Sequence, residues 1–378
     1  MFTDSLWLVG GGDRVTAAVV RALTGASHHV VLHTTRPTDL KTYSTVFDAD
    51  LSQVELRVHR CRVKPLLSIS GVRRYVNLAC EFAVRHPMQG DVFVDLTPAD
   101  CLGATYVRLP DIAYWNPTPD FREYLRHVLS SPMRRAFFTP YSLALTKLLD
   151  RMNKIPLNFV NSDYSEIEIR KCYGGRLHST MQLLYPPVNI QAWRPPVVDV
   201  PRTGAISVAR FSPWKRHDMQ LQIVGHDIPL KMVGGARATL EIETVRTLRR
   251  ARRDNVKIFD NLPFKELQQL LWTSKAFLHT ADREPFGLSI VEAIAAGCIP
   301  VIRRCGGAME VVPIRELTFS VASEARTILK RSMRGDFDHF LPQLQDHIRK
   351  FDEATFASRF LSAVERAGVK STQLKTSP

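Results

Sequence analysis

The sequence predicts an α/β protein made of two doubly wound domains that face each other across a cleft. Two observations lead to this fold class. The 378 residues are too many for one ordinary core and suit two domains of roughly 150–200 residues each. Short β-branched runs alternate with helical patterns in both halves, as expected for parallel strands joined by crossover helices.

The alternation in the first half predicts an N-terminal domain over residues 1–190. Its expected strands are Leu6–Val9, Val30–Leu32 and Val92–Leu96. Its expected helices are Val15–Leu23 and Val72–Val84. Residues 191–203 contain Pro195, Pro196 and Pro201 and show little periodicity. They are therefore predicted to link the two domains.

The alternation starts again in a C-terminal domain predicted over residues 204–345. Its expected strands are Ala205–Ala209, Leu230–Val233, Val256–Phe259, Ala276–Leu278 and Pro300–Ile302. Its expected helices are Ala238–Arg253, Pro263–Thr273 and Gly287–Ala296. In residues 346–378, Ile348, Phe351, Phe356 and Phe360 recur at helical spacing. A C-terminal helix over Asp346–Ala367 with a polar tail is predicted there.

The composition is that of a globular protein, with 45% hydrophobic and 23% charged residues. Lys and Arg outnumber Asp and Glu by 51 to 37, so the field of the protein attracts phosphate groups, nucleic acid or an anionic membrane face. The six cysteines form no C-x-x-C pair and have no histidine at zinc-ligand spacing. They are interpreted as reduced thiols of a cytoplasmic protein.

Two features argue against secretion and against a membrane span. The residues after Met1 lack the basic flank and long apolar region of a signal peptide. The longest nearly uncharged apolar run, Val291–Ile302, is shorter than the roughly 20 residues needed to cross a bilayer. Any membrane contact is expected to be peripheral.

The most informative stretch runs from Glu284 to Glu292, where a predicted strand leads into a predicted helix. Pro285 is placed near the first turn, where proline is favoured, and the helix N-terminus suits a diphosphate. The two carboxylates can accept hydrogen bonds from hydroxyl groups at different ends of one ligand. The alternative is that Glu284 caps a helix and Glu292 is solvated surface. The backbone predicted to meet the diphosphate is that of Phe286, Gly287 and Leu288.

Arg210 and Lys215 follow the predicted strand Ala205–Ala209, at the sheet edge where open α/β sheets bind ligands. Two cations there can neutralise a diphosphate leaving group, although a basic surface cluster gives the same pattern. Glycine loops follow two other strands, at 10–12 and at 306–307. The first of these lacks the G-x-G-x-x-G spacing of a dinucleotide-binding loop.

The motifs that occur in order from about residue 8 to residue 313 are Gly10-Gly11-Gly12-Asp13-Arg14-Val15, Asn161-Ser162, Tyr185-Pro186-Pro187, Arg210 with Lys215, Lys231-Met232-Val233-Gly234-Gly235, Leu262-Pro263-Phe264, His279-Thr280 and Glu284 to Glu292. As a set they resemble the family-4 retaining glycosyltransferases of GT-B fold. Within that family they look most like the α-1,2-mannosyltransferases that extend lipid-linked oligosaccharides from GDP-mannose.

The resemblance implies a role for each matching residue. Arg210 and Lys215 would bind the donor diphosphate and stabilise it as it leaves, and Glu284 would lie beside the donor sugar as the third catalytic residue. Glu292 would hold the ribose hydroxyls. The remaining donor contacts implied are Gly11 and Gly12 from the acceptor domain, and Gly306 and Gly307 beside the sugar and phosphates.

The resemblance further implies a reaction without metal or other cofactor, in which the leaving phosphate helps to deprotonate the acceptor. One D-x-D tripeptide, Asp48-Ala49-Asp50, lies in the first domain and is not expected to bind a metal. Trp115 stands where similar mannosyltransferases usually carry a histidine facing the acceptor, so acceptor identity and linkage are left open. No counterpart of the membrane-anchoring N-terminal helix of the eukaryotic members is expected in this sequence.

Two stretches of the acceptor domain, Arg57–Leu67 and Met133–Phe138, interleave cations with apolar residues. They suit an anionic membrane face, and equally suit a basic surface over buried strands. A nucleic-acid partner is not expected because no binding signature is present. Two alternatives stay open: a UDP-sugar donor, and a non-catalytic subunit that binds a nucleotide sugar. An epimerase of the same architecture fits less well, because the Arg210/Lys215 and Glu284/Glu292 pairs resemble the transferase pattern better.

Overall fold

A computed structural model describes residues 11–34, 39–41, 44, 51–58, 92–96, 111–115, 132, 153–196, 201–236 and 239–366. Contacts divide the chain into two units. The first comprises Met1–Pro186 with Phe356–Pro378, and the second comprises Pro187–Thr355. The predicted strand Leu6–Val9 and the predicted helix Val72–Val84 lie outside the described residues.

The first unit consists of parallel strands and helices. Its described elements are α1 (Gly11–Gly25), β1 (Val31–Thr34), β2 (Glu55–Val58), β3 (Val94–Asp95), β4 (Ile112–Trp115), β5 (Leu157–Val160), α2 (Asp163–Tyr173) and β6 (Met181–Leu183). β1 pairs with β2, and the order of the other four strands is β3-β4-β5-β6. The predicted helix Val15–Leu23 lies within α1, which buries Val15, Val19 and Val20 against the strands.

The second unit is built on a six-stranded parallel sheet. Its strands are β7 (Ala205–Val208), β8 (Leu230–Gly234), β9 (Val256–Asp260), β10 (Ala276–His279), β11 (Ile299–Arg303) and β12 (Thr318–Phe319). The spatial order is β12-β11-β10-β7-β8-β9, which is the 3-2-1-4-5-6 order of a doubly wound dinucleotide-binding fold. Each of the five strands predicted in this half is present, and β12 is an addition.

Helices connect these strands and complete the second unit. They are α3 (Ile190–Trp193), α4 (His217–Val224), α5 (Thr239–Ala251), α6 (Phe264–Trp272), α7 (Leu288–Ala295), α8 (Ala308–Val311), α9 (Ala322–Arg334) and α10 (Leu341–His347). The three predicted helices correspond to α5, α6 and α7, with ends shifted by one or two residues. Leu329 of α9 is completely buried against the sheet, a burial worth about 1.5–3 kcal/mol for one such side chain.

The second unit begins earlier than the predicted domain boundary, because residues 188–193 pack against the rest of that unit and do not form part of a linker. Trp193 is 1% exposed, and its carbonyl accepts a hydrogen bond of 2.7 Å from the indole N–H of Trp272. The backbone N–H of Val188 donates to the carbonyl of Phe351 at 2.9 Å. These contacts tie residues 188–193 to the second unit.

The C-terminal segment is not the single helix predicted over Asp346–Ala367. α10 ends at His347, a 3₁₀ turn covers Ile348–Phe351, and α11 runs over Glu353–Arg366. Asp352 is extended, with a ψ of 150°, and one of its carboxylate oxygens accepts the backbone N–H of Ile190 at 3.3 Å. Beyond this break, Phe356 and Phe360 are buried in the core of the first unit, so the helix belongs to that unit.

Candidate functional site

The strand order places a topological switch point between β7 and β10. These neighbours pair in parallel, with Ala205 opposite Ala276 and Ile206 opposite Phe277. From β7 the chain continues to β8 on one side of this pair, and from β10 it continues to β11 on the other side. Ligands of open α/β sheets bind beyond the carboxyl ends of the strands at such a point. The loops after β7 and β10 are therefore the place to look for a site.

The loop after β7 folds around one buried aromatic side chain. Phe211 is completely buried, and the chain then forms a 3₁₀ turn over Pro213–Lys215. Arg216 ends the turn in the left-handed region with a φ of 52°, which is unfavourable for a residue other than glycine. The ring Nε2 of His217 bonds the carbonyl of Arg210 at 3.1 Å and closes the loop. Burial lowers the pKa of His217, against the bonds that raise it.

Contacts with the end of β10 fix this loop in place. The hydroxyl of Thr280 donates to the carbonyl of Lys215 at 2.8 Å, and the backbone N–H of Asp282 donates to the carbonyl of Trp214 at 3.2 Å. The Arg216 guanidinium pairs with the Asp282 carboxylate at 3.2 Å. The two loops at the switch point thus form one connected structure, which orients the cations of the first toward the carboxylates of the second.

Lys215 and Glu284 meet in this structure. Nζ of Lys215 lies 2.5 Å from Oε2 of Glu284, with the two side chains 21% and 11% exposed. Nε2 of His279 lies 3.0 Å from the same oxygen. The two residues predicted to be catalytic at separate strand ends are therefore in direct contact, and a histidine shares their contact.

These neighbours keep Glu284 charged. Burial by itself raises the pKa of this carboxyl group, but the Lys215 ammonium and the His279 ring lower it by more. The net pKa lies well below the ordinary value. The site accordingly contains a carboxylate that can accept hydrogen bonds and that is already neutralised by a cation.

Arg210 differs from Lys215 in its surroundings. Its side chain is exposed, and in the described part of the chain its guanidinium has no ion pair. A guanidinium in this state can form two parallel hydrogen bonds to a phosphate without breaking an existing contact. Arg210 is thus available to an anionic ligand at the carboxyl edge of the sheet.

Gly306 and Gly307, which follow β11, have a structural role that the sequence did not predict. A Cβ on Gly306 would lie 2.3 Å from the carbonyl oxygen of Glu284, and one on Gly307 would lie 2.1 Å from that of Pro285. The backbone N–H of Gly307 donates to the Glu284 carbonyl at 2.8 Å. These glycines let the two loops touch through their backbones and so position Glu284.

The helix after Glu284 starts one residue later than predicted. α7 begins at Leu288, after Gly287 with a φ of 104°, so Pro285 lies in the preceding loop rather than in the first turn. The side chain of Phe286 is buried edge-on against Phe351, with ring centres 4.9 Å apart. It belongs to the core, which leaves only the backbone of Phe286 for the predicted donor contact.

Glu292 lies in the middle of α7 and is 3% exposed. The interpretation of Glu292 as solvated surface is therefore wrong. Leu288, another predicted donor contact, is half-buried in the first turn of the same helix. The N-terminus of α7 and Glu292 lie on one element, directly after the loop that carries Glu284.

Other sequence predictions fall elsewhere or outside the described residues. Gly11 and Gly12 form the exposed first turn of α1 in the first unit. Trp115 ends β4, opposite Val160 of β5. The D-x-D tripeptide, the stretch Met133–Phe138 and residues 59–67 lie outside the described residues, while Arg57 is in β2 and pairs with Glu55 at 2.6 Å.

Two kinds of feature are lacking in the described residues. None of the helices that the structure describes is long and apolar enough to cross a membrane. Within the same residues, no group of three or more His, Cys, Asp and Glu side chains could hold a metal ion.

His279, Thr280 and Gln220 also belong to this region, and no role was predicted for them from the sequence. The Gln220 amide donates to the hydroxyls of Ser207 at 2.8 Å and Thr280 at 3.0 Å, and so joins β7 to the loop after β10. A sequence pattern for two of them existed, because His279 and Thr280 directly follow a predicted strand, as Arg210 does. Polar residues at that position of a parallel strand reach the ligand-binding edge.

Comparisons with known proteins bear on the same region. The family model described as glycosyl transferases group 1 matches residues 197–326. This range contains both loops of the switch point and the whole of α7. Over these residues, the resemblance seen in the sequence is confirmed.

Curated relatives are similar over about half of the chain. A protein of Dictyostelium discoideum named GDP-Man:Man(3)GlcNAc(2)-PP-Dol alpha-1,2-mannosyltransferase is 26% identical over 241 residues, covering 55% of this chain and 47% of the relative. The human protein of the same name is 26% identical over 251 residues, covering 55% and 48%. The chain spans about half the length of the curated relatives it matches.

Solved structures match nearly the whole chain. Sucrose-phosphate synthase of Thermosynechococcus elongatus aligns with a TM-score of 0.68 at 17% identity, covering 93% of this chain and 92% of that one. The lipopolysaccharide glycosyltransferase WaaG gives 0.67 at 15%, covering 96% and 98%. Anabaena HepE in complex with UDP and glucose gives 0.65 at 16%, also covering 96% and 98%. These likenesses show the GT-B fold, as predicted.

Proposed function

We propose that the chain is a retaining glycosyltransferase that transfers a hexose from a nucleotide sugar, with GDP-mannose as donor and a lipid-linked glycan as acceptor. The choice of donor and acceptor is supported by the names of the curated relatives. The activity itself is supported by the residues at the switch point of the second unit. The single observation that carries the proposal is the Lys215–Glu284 pair, which is largely shielded from solvent, with the exposed Arg210 on the same loop as Lys215.

The two cations account for leaving-group stabilisation. The diphosphate of a nucleotide sugar gains negative charge as its bond to the sugar breaks, and fixed positive groups stabilise that charge. Arg210 can bind a phosphate through two hydrogen bonds, while Lys215 supplies a compact charge. The positive end of the α7 dipole adds to this field from the helix N-terminus.

The two carboxylates account for donor orientation. Glu284 has one oxygen, Oε2, in contact with both Lys215 and His279. In the proposed complex its other oxygen, Oε1, accepts a hydrogen bond from a sugar hydroxyl, and Glu292 accepts hydrogen bonds from the ribose. An ionised carboxylate acts exclusively as an acceptor, and the lowered pKa of Glu284 keeps it ionised.

The proposed reaction needs no separate base and no metal. As the sugar–phosphate bond breaks, the departing phosphate takes the proton of the acceptor hydroxyl, which attacks from the same face and so retains the configuration. Gly11 and Gly12 would meet the donor phosphates, and Gly306 and Gly307 would lie beside the sugar and phosphates. The acceptor would bind to the first unit.

A lipid-linked acceptor implies work at a membrane face. We place the protein on the cytoplasmic side, attached peripherally to anionic lipid, with the basic character of the chain, 51 Lys and Arg against 37 Asp and Glu, as the physical basis. Nucleic acid is not a proposed partner. A UDP-sugar donor and a non-catalytic nucleotide-sugar-binding subunit are the two readings that the following experiment separates from the proposal.

The test is calorimetric binding of GDP-mannose, GDP, UDP-glucose and UDP-N-acetylglucosamine to the purified chain, with and without added Mg²⁺ and Mn²⁺. We expect GDP-mannose and GDP to bind without metal. Binding should fall at least about tenfold, or 1.4 kcal/mol, in Arg210→Ala and in Glu292→Ala. The matched control is Arg246→Ala, which removes an exposed arginine of α5, outside the two loops of the switch point. This variant should bind GDP and GDP-mannose as the wild type does.

Transfer is then measured with radiolabelled donor and lipid-linked oligosaccharide acceptors. Incorporated label supports the enzyme, whereas donor binding without transfer or donor hydrolysis supports the non-catalytic subunit. A preference for a uridine donor would replace mannose and leave the site assignment standing. Absence of nucleotide binding would overturn the donor site itself.

A further inference from the structure

One buried histidine touches the proposed catalytic pair without a role in the reaction described above. His279 is the last residue of β10 and is 2% exposed. Its ring stacks at 12° on that of Phe277, with ring centres 6.3 Å apart. Packing against the sheet therefore fixes the ring, and a buried imidazole is expected to have a polar partner.

Glu284 is the partner that the geometry offers. Nε2 of His279 lies 3.0 Å from Oε2 of Glu284, although among the described residues this nitrogen has no aligned hydrogen-bond partner, so a small movement of Glu284 would be needed to form the bond. Lys215 contacts the same oxygen at 2.5 Å. Both neighbours thus converge on Oε2, and no described residue bonds Oε1.

The two neighbours of Glu284 are held differently. Lys215 lies in the loop after β7 with a long side chain that is 21% exposed, whereas His279 is rigid in a central strand. A bound diphosphate would compete with Glu284 for the Lys215 ammonium, because it carries more charge than one carboxylate. A buried carboxylate that loses its only partner is costly and tends to take up a proton.

We propose that His279 is a positioning residue for the donor sugar: it holds Oε2 of Glu284 when the diphosphate draws Lys215 away, so that Oε1 stays directed at a sugar hydroxyl. This inference rests on the proposed function. The inference distinguishes two ligands, because His279 acts through Glu284 on the transferred hexose and not on the nucleotide. Binding of GDP, which lacks the mannose, should not depend on His279.

The experiment compares GDP with GDP-mannose by calorimetry on the full chain. We expect His279→Leu to weaken GDP-mannose binding about tenfold, equivalent to 1.4 kcal/mol, and to leave GDP binding within about twofold of the wild type. His279→Gln keeps an N–H donor at a similar reach and should restore most of the loss. In a Glu284→Gln background, His279→Leu should cause little further loss, since residues that act through one contact are not additive.

Leu278→Val is the matched control, because Leu278 is buried in the same strand with its side chain on the opposite face of the sheet from His279, and it should bind both ligands as the wild type does. If His279→Leu does not fold, His279→Asn, whose shorter amide cannot reach Glu284, replaces it. Equal losses for GDP and GDP-mannose, no loss, or a full additional loss in the Glu284→Gln background would each overturn the inference.

The outcome also separates this inference from the proposed function. If the wild type binds neither ligand, the proposed donor site fails and the inference fails with it. If the wild type binds both and the variants do not discriminate between them, only the inference fails. If a uridine donor is preferred, UDP and UDP-glucose take the places of GDP and GDP-mannose in the same comparison.

Discussion

Lys215 and Glu284 lie 69 positions apart in the sequence and depend on each other in the structure. Each would be a buried or half-buried charge without the other, and His279 alone does not supply a full positive charge unless it is protonated. Removal of one partner from a buried pair costs more than removal of both, because the remaining charge is left uncompensated. This asymmetry gives a test at the residue scale that needs no substrate.

Lys215→Met should destabilise the protein by about 3 kcal/mol, within the range for breaking a buried pair. The double variant Lys215→Met with Glu284→Gln should recover part of that loss, because the charge left behind is removed as well. Urea unfolding followed by circular dichroism measures both. Lys330→Met is the control, since Lys330 pairs with Asp227 at the exposed surface, where a pair is worth about 0–1 kcal/mol. A double variant less stable than Lys215→Met would contradict the pairing.

At the scale of elements, the site depends on loops that meet through their backbones. The 3₁₀ turn after β7 is held by the end of β10 through Thr280 and Asp282, and the loop after β11 lies directly against the backbone of residues 284–286. Three strand ends therefore fix one carboxylate. A methyl group added at Gly307 should affect the site, although it would meet the backbone of Pro285 and not the Glu284 carboxylate.

Gly307→Ala is expected to displace the Glu284 loop, because the new Cβ would lie 2.1 Å from the carbonyl oxygen of Pro285. We predict a loss of stability of about 1–3 kcal/mol, typical of overpacking, and weaker GDP-mannose binding. Thermal unfolding and calorimetry measure the two effects. The control is Gly175→Ala, where a Cβ has no neighbour within 4 Å. Unchanged stability and binding in Gly307→Ala would show that the loop tolerates the group and that the contact does not set the site.

At the scale of the whole molecule, each unit has its own core, and the chain returns to the first unit at its C-terminal end. Phe360 of α11 is 1% exposed and lies 5.8 Å from Phe159 of β5, measured between ring centres. The residues just before the break at Asp352, by contrast, pack in the second unit. A change in α11 should therefore act on the first unit.

Phe360→Ala should cost about 3–5 kcal/mol, the usual range for a large aromatic core residue. Hydrogen exchange measured by mass spectrometry should show lost protection in β5 and retained protection in β10 and β11, with calorimetry showing GDP binding kept. Arg359→Ala, at an exposed neighbouring position, should change neither. Loss of protection spread equally over both units would mean that the helix stabilises the molecule as one cooperative body.

The strands of the second unit and the residues at their carboxyl ends were predictable from apolar periodicity alone. Apolar runs and crossover helices define parallel strands locally, so Arg210, Lys215 and Glu284 could be assigned to one sheet edge before any coordinates were known. The GT-B fold was implied by the resemblance of the motif set to a known family. The strand predictions rest on periodicity and on a sheet geometry that hardly varies between proteins.

Which of those residues touch depends on contacts between segments that are distant in the sequence. The contact between Lys215 and Glu284 requires β7 and β10 to be neighbours, and strand order is not a property of any one segment. The same holds for His279 beside Glu284, for Gly307 against the Pro285 carbonyl and for Phe360 in the core of the first unit. Each is a contact between distant segments, set by how complete elements pack, and local pattern carries no information about that choice.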